Sequence, residues 1–533
     1  MGGKVMKELL ENNLLKHYDI ITCLLDKDWM TINHVAVETR IPARTIRQNI
    51  GTINQYIDPL KIESSQRFGI RLTYDASHSP LYIYSAIYRQ STRFLILEQI
   101  FLHHFLSIAQ FSEALYISES TLRRHIQALN QILPHYGFRI DTQSLDIIGD
   151  EKKIHYFYYC YLLERYWLID VFLPKSDLKL IDAIISEFFS RFPTLNRPMY
   201  QSFSFINKLR TTIFICLKRS SRGHTFKHEP VVKEEENFSA ELHRKIASVY
   251  KIDYSLLVFS HLFYLFFNSK SALSYEDLIA KTRQDPEIRA THHALSHFLD
   301  AVATTEHLSL TNREKVLLCL YNALEYTWGP TKILYNPDEA FFANMNQFSK
   351  AFIRQARKML ITSLKNEKIH IPFDDSLITK LLFILVTTWE NLPLQLEQQA
   401  PEVRTGLFFD TTLEHSQFLL NELNYHSRSS LKFEIVPANT LAELKKIAYQ
   451  FDMIITNLPL LNLPNCKVVS IQSHPAPADF ENILAAHNQI INYKSAKSSV
   501  SVAGWNRTLG YCKNVTRQVR TGHFVHRFSE NMG

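Results

Sequence analysis

The sequence predicts a mainly α-helical protein of several domains that ends in a small α/β domain. Three observations predict this class. The chain has 533 residues, which is too long for one ordinary hydrophobic core. A helix-turn-helix pattern occurs twice near the N-terminus, and helical periodicity dominates from about residue 176 to residue 400. Beyond residue 400, short apolar strands alternate with helices.

The composition and the motif search exclude several classes of protein. The N-terminal segment is amphipathic and charged, unlike a signal peptide. The apolar run 254–267 is too short to cross a bilayer, and we expect it to form one buried helix. We therefore expect a cytoplasmic protein without a membrane partner. The six cysteines form no CxxC pair, which predicts reduced thiols and no metal site. The sequence has no HExxH, Walker, GxGxxG or nucleophile-elbow motif, so we expect no enzyme, no catalytic residue and no cofactor.

An internal repeat carries the functional argument. Segments 31–57 and 107–133 align without a gap at an offset of 76 residues, and seven of 27 positions are identical. The identical pairs include Arg47 with Arg123 and Asn54 with Asn130. Such a repeat indicates that both segments share one architecture.

Each copy has the layout of a helix-turn-helix. Thr31 and Ser107 are suited to cap a first helix, and Ile or Leu recurs at helical spacing in the second helix. The outward face of the second helix carries side chains that reach base edges or phosphates. These are Arg44, Thr45, Arg47 and Gln48 in the first copy, and Ser120, Thr121, Arg123 and Arg124 in the second.

A segment of alternating apolar and polar residues comes after each copy, at 60–74 and 136–150. This pattern predicts a hairpin, so we expect two winged helix-turn-helix domains, at residues 1–75 and 90–150. Arg67 and Arg71 are expected to bring the first wing near a phosphate backbone. Residues 40–71 contain six basic and two acidic side chains, which favours double-stranded DNA as the partner.

The rest of the chain divides into regions that have different sequence patterns. Residues 151–174 predict an aromatic helix that joins the DNA-reading part to the helical region beyond residue 175. This helical region forms two similar-sized blocks, at 176–287 and 290–395, whose helices recur in a similar order. Strand–helix alternation over 402–494 predicts a parallel α/β module, and the basic, aperiodic segment 495–533 predicts a disordered tail.

This order of parts resembles the Mga/AtxA family of virulence regulators from Gram-positive bacteria. In that family two helix-turn-helix units precede two PTS regulation domains and an EIIB-like domain. The resemblance reaches to about residue 494, and its most specific elements are the paired segments 31–57 and 107–133 and the wing ending at 145–151. It implies that the two helical blocks are PTS-regulation-like domains and that the α/β module is EIIB-like.

The resemblance also implies control by histidine phosphorylation, with HPr of the sugar phosphotransferase system as the donor. The candidate acceptors are His261, in a helix similar to one that carries such a histidine, and His224, in a Gly-His turn. The helix at 375–389 has no histidine, so phosphorylation of the second block at its usual positions is not expected. The α/β module has Asp410 where the enzyme carries its cysteine, which implies a role in contacts. We expect a homodimer or a higher homo-oligomer.

Three alternatives stay open. The first is a DNA-binding regulator that is not phosphorylated and is controlled by dimerisation or a small ligand. The second is an RNA-binding antiterminator, since those proteins also carry PTS regulation domains, although they use a small β-type module in place of helix-turn-helix units. The third is an enzyme component of the phosphotransferase system, which the missing cysteine near Asp410 disfavours.

Overall fold

The protein forms two compact units, one of residues 1–345 with 352–392 and one of residues 346–351 with 393–533. The computed structural model describes residues 6–25, 27–75, 77–79, 81–195, 202–226, 238–252, 255–329, 332–343, 345, 347–369, 375–426, 430–464 and 466–505. Across these ranges no single helix is long and apolar enough to span a bilayer; helices Asp375–Thr388 and Leu392–Gln398 meet that test only as a pair, bent by 82°.

The N-terminal part of the larger unit contains two copies of a helix-turn-helix followed by an antiparallel hairpin. The first copy consists of α1 (Asn12–Leu24), α2 (Ile32–Thr39), α3 (Ala43–Ile57), β1 (Lys61–Ser65) and β2 (Gly69–Thr73). Two linking helices come next, α4 (Leu81–Gln90) and α5 (Thr92–Leu102). The second copy consists of α6 (Ile108–Ala114), α7 (Glu119–Ile132), β3 (Phe138–Asp141) and β4 (Asp146–Gly149).

The two copies share the same local chemistry at the turn. Thr31 caps α2 by accepting a hydrogen bond from the backbone of His34, and Ser107 caps α6 in the same way, as the sequence predicts. The residue in the left-handed conformation is Arg40 in one turn and Tyr116 in the other, with φ of 59° and 56°. These two positions are 76 residues apart, so the sequence repeat is also a repeat of backbone geometry.

The asparagines shared by the repeat tie each second helix to its hairpin. The side-chain amide of Asn54 donates to the carbonyl of Ile62 at 3.0 Å, and its oxygen accepts from the Ile62 N–H at 2.8 Å. Asn130 makes the same pair of bonds with Ile140, both at 2.8 Å. Because each asparagine satisfies both polar groups of one strand residue, it sets the position of the hairpin relative to α3 or α7.

Helices make up the rest of the larger unit. After β4 come α8 (Glu151–Tyr166), α9 (Ile169–Phe172), α10 (Lys175–Arg191), α11 (Phe203–Ser220), α12 (Ala240–Tyr250), α13 (Leu256–Leu262), α14 (Tyr264–Phe267), α15 (Tyr275–Gln284), α16 (Pro286–Thr305), α17 (Arg313–Glu325), α18 (Pro337–Ala343), α19 (Gln347–Asn366) and α20 (Asp375–Thr388). Residues 347–351 of α19 belong to the smaller unit, as does α21 (Leu392–Gln398) from its second residue on.

Three of these segments differ from the sequence prediction. The single aromatic helix expected at 151–174 is two helices, since α8 ends where Trp167 adopts a positive φ of 64°. The proposed boundary between the helical blocks at 287–290 lies inside α16. The preceding helix α15 packs against α16 and α17, so it belongs with the second block. The apolar run 254–267, expected as one buried helix, is broken between α13 and α14 at Phe263.

One hydrophobic core joins both helix-turn-helix copies to the first helical block. It includes buried side chains from every part, among them Ile46, Ile126, Leu162, Phe214 and Phe263. Helix α8 lies at the centre, packed against α4 on one side and α11 on the other, as the joining role predicted for this segment requires. Each fully buried Ile, Leu or Phe stabilises the fold by about 1.5–3 kcal/mol, so these parts form one body.

The smaller unit is a parallel α/β domain. It contains β5 (Val403–Leu407), α22 (Leu413–His426), β6 (Leu431–Ile435), α23 (Leu441–Ile447), β7 (Met453–Thr456), β8 (Lys467–Ser470) and α24 (Pro477–Trp505). All four of these strands are parallel, in the order β6-β5-β7-β8, which confirms the predicted parallel α/β module. Successive residues of β7 point to two separate cores, one on each face of the sheet.

Two details of the smaller unit were not evident from the sequence. Gly406 in β5 allows close packing, because a Cβ there would lie 2.5 Å from Val436. The closing helix α24 continues to Trp505, so residues 495–505 are helical and not part of a disordered tail. The remainder of the predicted tail, 506–533, lies outside the described residues.

Candidate nucleic-acid interface

The recognition face of the first copy lies on α3. Ile46 and Ile53 point inward and are fully buried, which turns the opposite face of the helix outward. Arg44, Arg47 and Gln48 are exposed on that outer face, as the sequence predicts. Thr45 is partly buried. The exposed side chains are long and polar, and they begin in the first turn of the helix, where a helix entering the major groove meets base edges.

The hairpin adds a second arginine to this face. Arg67 lies in the turn between β1 and β2 and is exposed. It lines the same open groove as Arg47, a space of about 570 Å³ between α2, α3 and the hairpin. The fold therefore brings together a recognition-helix arginine and a wing arginine that are 20 positions apart.

Arg71 has a different environment from the one that the sequence predicts. Its Nε donates to Glu63 on the neighbouring strand at 3.1 Å, and its guanidinium lies 4.6 Å from the centre of the Trp29 ring. Its Nη1 also lies 3.9 Å from Asp28. These contacts hold the hairpin against the segment before α2. Arg67 is exposed and forms no ion pair among the described residues, and its guanidinium lies 5.3 Å from the centre of the Phe68 ring.

The second copy presents its recognition face on α7. Leu122, Ile126 and Leu129 are buried, while Ser120, Arg123 and Arg124 are exposed. Thr121 is partly buried, and its hydroxyl and backbone N–H both bond to the capping Ser118, at 2.9 Å and 3.2 Å. These are the residues that the sequence predicts for the face.

Arg123 has an acidic neighbour on its helix, which its counterpart Arg47 lacks. Its guanidinium lies 3.5 Å from the carboxylate of Glu119, one turn earlier on α7. The corresponding position of the first copy is Ala43. A carboxylate in the first turn of a recognition helix repels phosphate, so the first copy offers the more basic surface.

A buried cluster of charges lies behind the second hairpin, and the sequence did not predict it. Arg219 of α11 is 1% exposed, and it donates to both oxygens of Glu151, at 2.7 and 2.8 Å. It also lies 3.3 Å from Asp146 on β4. Arg222 donates to Asp146 at 2.9 Å, and His224 Nε2 lies 2.8 Å from the other oxygen of Asp146.

The electrostatics of this cluster favour ionised carboxylates. Burial opposes the ionisation of Asp146, but the hydrogen bond from His224 and the charges of Arg219 and Arg222 hold the pKa of Asp146 below its ordinary value. The pKa of Glu151 is lowered in the same way, against burial, mainly by Arg219. The first helical block is thus tied to the second hairpin by charge-assisted hydrogen bonds.

The two phosphorylation candidates occupy different environments. The side chain of His224 is 27% exposed, whereas His261 is 2% exposed. The Nδ1 of His261 lies 3.3 Å from the hydroxyl of Ser220, and its Nε2 has no partner in the described residues. Burial, together with the neighbouring His155, keeps the pKa of His261 well below its ordinary value.

A cavity of about 400 Å³ between the two helical blocks is a second internal site, and the sequence did not predict it. Lys208 of α11 and Lys380 of α20 both line it, together with the rings of Tyr156, Tyr264 and Tyr326. Burial and the charge of Lys380 lower the pKa of Lys208 to about 8. No carboxylate forms an ion pair with either lysine among the described residues.

Comparison with known proteins finds a matching domain family for the second copy. Residues 77–162, from before α4 into α8, match the Mga helix-turn-helix domain. A putative trans-acting regulator of Streptococcus pneumoniae serotype 4 (strain ATCC BAA-334 / TIGR4) is 20% identical over 481 residues, which cover 87% of this chain and 95% of that protein.

Two relatives from Bacillus anthracis match over shorter stretches. The capsule synthesis positive regulator AcpA is 22% identical over 231 residues, which cover 42% of this chain and 46% of AcpA. The capsule synthesis positive regulator AcpB is 23% identical over 221 residues, which cover 40% of this chain and 44% of AcpB.

The fold, the exposed recognition helices and these matches define a regulator with a helix-turn-helix DNA-binding domain. The resemblance drawn from the sequence repeat is also confirmed: the Mga helix-turn-helix match and the three regulators to which the chain is similar are consistent with the Mga/AtxA family.

Proposed function

We propose that the protein is a cytoplasmic, non-enzymatic transcription regulator that binds double-stranded DNA through both winged helix-turn-helix copies. The observation that carries this proposal is the repeated geometry of α3 and α7. Both helices present an exposed arginine at the same position of the repeat, Arg47 and Arg123. Arg67 and Arg47 face one groove, so the first copy is able to contact a phosphate and a base edge together.

DNA binding is tested on a fragment recovered by genome-wide mapping of bound sites in cells. Arg47→Ala and Arg123→Ala are each expected to weaken binding by about 1–3 kcal/mol, measured by fluorescence anisotropy. Arg244→Ala is the matched control, because Arg244 is exposed on α12 and its loss changes the net charge equally. If Arg123→Ala binds like Arg244→Ala, the second copy is structural and the proposal for it is wrong.

We propose further that histidine phosphorylation by HPr tunes this regulator, and that His224 is the better of the two acceptors. Phosphoryl transfer requires access, which His224 has and the buried His261 lacks in this conformation. An ionised carboxylate only accepts, so Asp146 holds the hydrogen on Nε2 of His224. The lone pair is then on Nδ1, which makes that nitrogen the nucleophile.

Phosphate on His224 would act on the second hairpin directly. It adds close to two negative charges beside Asp146, which is part of β4, and it competes for Arg222. The test is incubation with enzyme I, HPr and phosphoenolpyruvate, followed by mass spectrometry. We expect phosphohistidine in the wild type and in His261→Ala, but not in His224→Ala. Phosphate that persists in His224→Ala and is lost in His261→Ala reverses the assignment, and its absence from the wild type removes this mode of control.

The cavity with two lysines supports a second mode of control, by a small ligand. Its volume suits a small molecule, its wall is mainly apolar and includes five aromatic rings, and Lys208 and Lys380 bring two cationic groups with no paired carboxylate among the described residues. The matching ligand has an apolar body and one anionic group. Thermal unfolding with a panel of aromatic carboxylates tests this mode. At least one compound should raise the melting temperature of the wild type and leave the melting temperature of the Lys208→Met variant unchanged. If none does so, the mode is rejected.

Self-association is proposed through the outer face of α22 in the smaller unit. Phe418 and Tyr425 are 53% and 84% exposed, and a spacing of seven residues puts them on one face of the helix. A second copy of the chain would cover this face. We expect Phe418→Asp with Tyr425→Asp to lower the dimer fraction in sedimentation, whereas Tyr449→Asp, at another exposed aromatic residue of the unit, leaves it unchanged. Equal dimer fractions would rule out α22 as the interface.

A further inference from the structure

Three potential metal ligands from distant parts of the sequence meet inside the larger unit. They are His155 of α8, Cys216 of α11 and His261 of α13. One ligand atom from each lies within 4.8 Å of the other two. None is more than 2% exposed. The two ligands that are closest in the sequence are 45 positions apart. No short spacing motif therefore marks this cluster in the sequence.

The first two ligands already have the arrangement of a metal site. His155 Nε2 lies 3.2 Å from the carboxylate of Glu151, and His155 Nδ1 lies 3.7 Å from the Cys216 sulfur. The contact of Nε2 with Glu151 does not have the geometry of a hydrogen bond, but a carboxylate at this distance favours the hydrogen on Nε2 and leaves the lone pair on Nδ1, as in histidines that bind a metal. With usual Zn–N and Zn–S bonds, a tetrahedral ion places such a nitrogen and sulfur about 3.6 Å apart. The observed separation needs almost no adjustment.

His261 supplies the third ligand and an opening. Its Nε2 is buried and has no hydrogen-bond partner in the described residues, which is costly for a polar atom unless something else binds it. Its ring centre lies 4.8 Å from that of His155. His261 also forms part of the wall of a cavity of about 250 Å³. The other two ligands do not line this cavity, so it meets the cluster at His261, and an ion would enter past that side chain.

We propose that His155, Cys216 and His261 form a binding site for a thiophilic divalent cation, with Zn²⁺ as the best fit. Two imidazoles and one thiolate are ligands of the type that Zn²⁺ prefers, and three protein ligands leave one open position. The ion would join α8, which comes directly after the second hairpin, to α11 and α13 of the first helical block. A histidine that binds the ion cannot also accept phosphate at the same nitrogen, so the site also bears on the use of His261.

The proton balance of binding is set by the metal-free contacts. Without an ion, the Cys216 thiol donates to the carbonyl of His261 at 3.2 Å, and burial raises the pKa of this thiol well above its ordinary value. Burial lowers the pKa of His155, which disfavours the protonated ring. Binding of Zn²⁺ therefore replaces the thiol proton, and one proton is released for each ion bound.

The experiment uses the full chain after treatment with a chelator, with Co²⁺ as the spectroscopic probe and Zn²⁺ in competition with a chromophoric chelator. We expect one ion per chain, a thiolate-to-Co²⁺ charge-transfer band and release of one proton. Cys216→Ser should lose the band and weaken Zn²⁺ binding by more than the about 10–100-fold that loss of an orienting hydrogen-bond partner costs. Cys160→Ser is the matched control, since Cys160 is buried on α8 outside the cluster.

A measurement on the wild type keeps the test independent of how the variants fold. X-ray absorption of the Zn²⁺-loaded wild-type chain should show one sulfur and two imidazole nitrogens around the ion. The proposal is overturned if the wild type binds neither ion, if Co²⁺ binds without the charge-transfer band, or if the absorption spectrum contains no sulfur. Each of these outcomes is independent of DNA binding through Arg47 and Arg123, so failure here leaves the proposed function standing.

Discussion

Replacement of Arg219 by Met tests whether the buried charge cluster holds the second hairpin on the helical block. The guanidinium forms two bonds with Glu151, a longer one with Asp146 and one with the carbonyl of Ile147 at 2.9 Å. Met has a similar length and no charge. In the variant, Asp146 keeps its bonds from Arg222 and His224, but Glu151 keeps only its contact with the buried His155. The main cost is therefore one uncompensated buried carboxylate.

Breaking a buried pair by removing one partner costs about 3–5 kcal/mol, and we expect Arg219→Met to lower the free energy of unfolding by this amount. The assay is urea denaturation followed by tryptophan fluorescence, since four of the five tryptophans lie in the larger unit. The double variant Arg219→Met with Glu151→Gln should regain part of the loss, because it buries no unpaired charge.

The control is Arg191→Met, whose guanidinium is 31% exposed in its pair with Glu187. An exposed pair of this kind contributes at most about 1 kcal/mol. If Arg219→Met is no more destabilising than Arg191→Met, the cluster does not hold the hairpin in place. A double variant that is less stable than the single variant would also contradict this role of the cluster.

Three further predictions concern the repeat and the buried histidines. Asn54→Ala and Asn130→Ala should each destabilise the chain by about 1–3 kcal/mol in urea, because two backbone groups of a strand lose their partner. Glu119→Gln should tighten DNA binding by about 0.2–1 kcal/mol in anisotropy, because it releases the adjacent arginine and removes a negative charge from the recognition helix. In chelator-treated protein, the free energy of unfolding should fall as the pH drops from about 7 to 5. Burial lowers the pKa values of His155 and His261, so below the ordinary histidine pKa of about 6.5 only the unfolded chain takes up these protons.

Each of these predictions has a control and a contradicting result. Asn424→Ala removes an exposed asparagine whose amide bonds only within α22, and its effect should be small; an equal effect at Asn54 would refute the role of the hairpin tie. Glu241→Gln makes the same charge change on α12. If this variant also binds DNA more tightly, the effect of Glu119→Gln comes from the net charge of the protein and not from the recognition helix. A free energy of unfolding that is constant between pH 7 and 5 would show that the buried histidines titrate alike in both states.

Local signals in the sequence predicted the N-terminal architecture well. Capping by Thr31 and Ser107 depends on residues within one turn of the helix, and helical periodicity depends on neighbours three and four positions away. Such interactions are visible in a linear pattern. The identity of Asn54 with Asn130 was also visible, but its reason was not, since each partner strand residue lies eight or ten positions further on.

The boundaries of the helical blocks were harder to predict from the sequence. Helix α15 carries no signal that distinguishes the block before it from the block after it, and only its packing on α16 and α17 decides the matter. The break at Phe263 was hidden for a related reason. A continuous apolar run is compatible with one buried helix or two, because burial on all sides removes the periodicity that would mark a change of direction.

By its own pattern the sequence determined the class of protein, the two recognition helices and the exposed arginines on them, because amphipathic periodicity decides which side chains face out. Only the tertiary structure decided which charges are free and which are paired. Arg71 is held by Glu63, Arg219 reaches Asp146 across 73 positions, and His155 meets Cys216. These contacts arise where strands pair and where helices pack on a hairpin or on one another, and this packing depends on the complementarity of whole surfaces, which no short stretch of sequence contains.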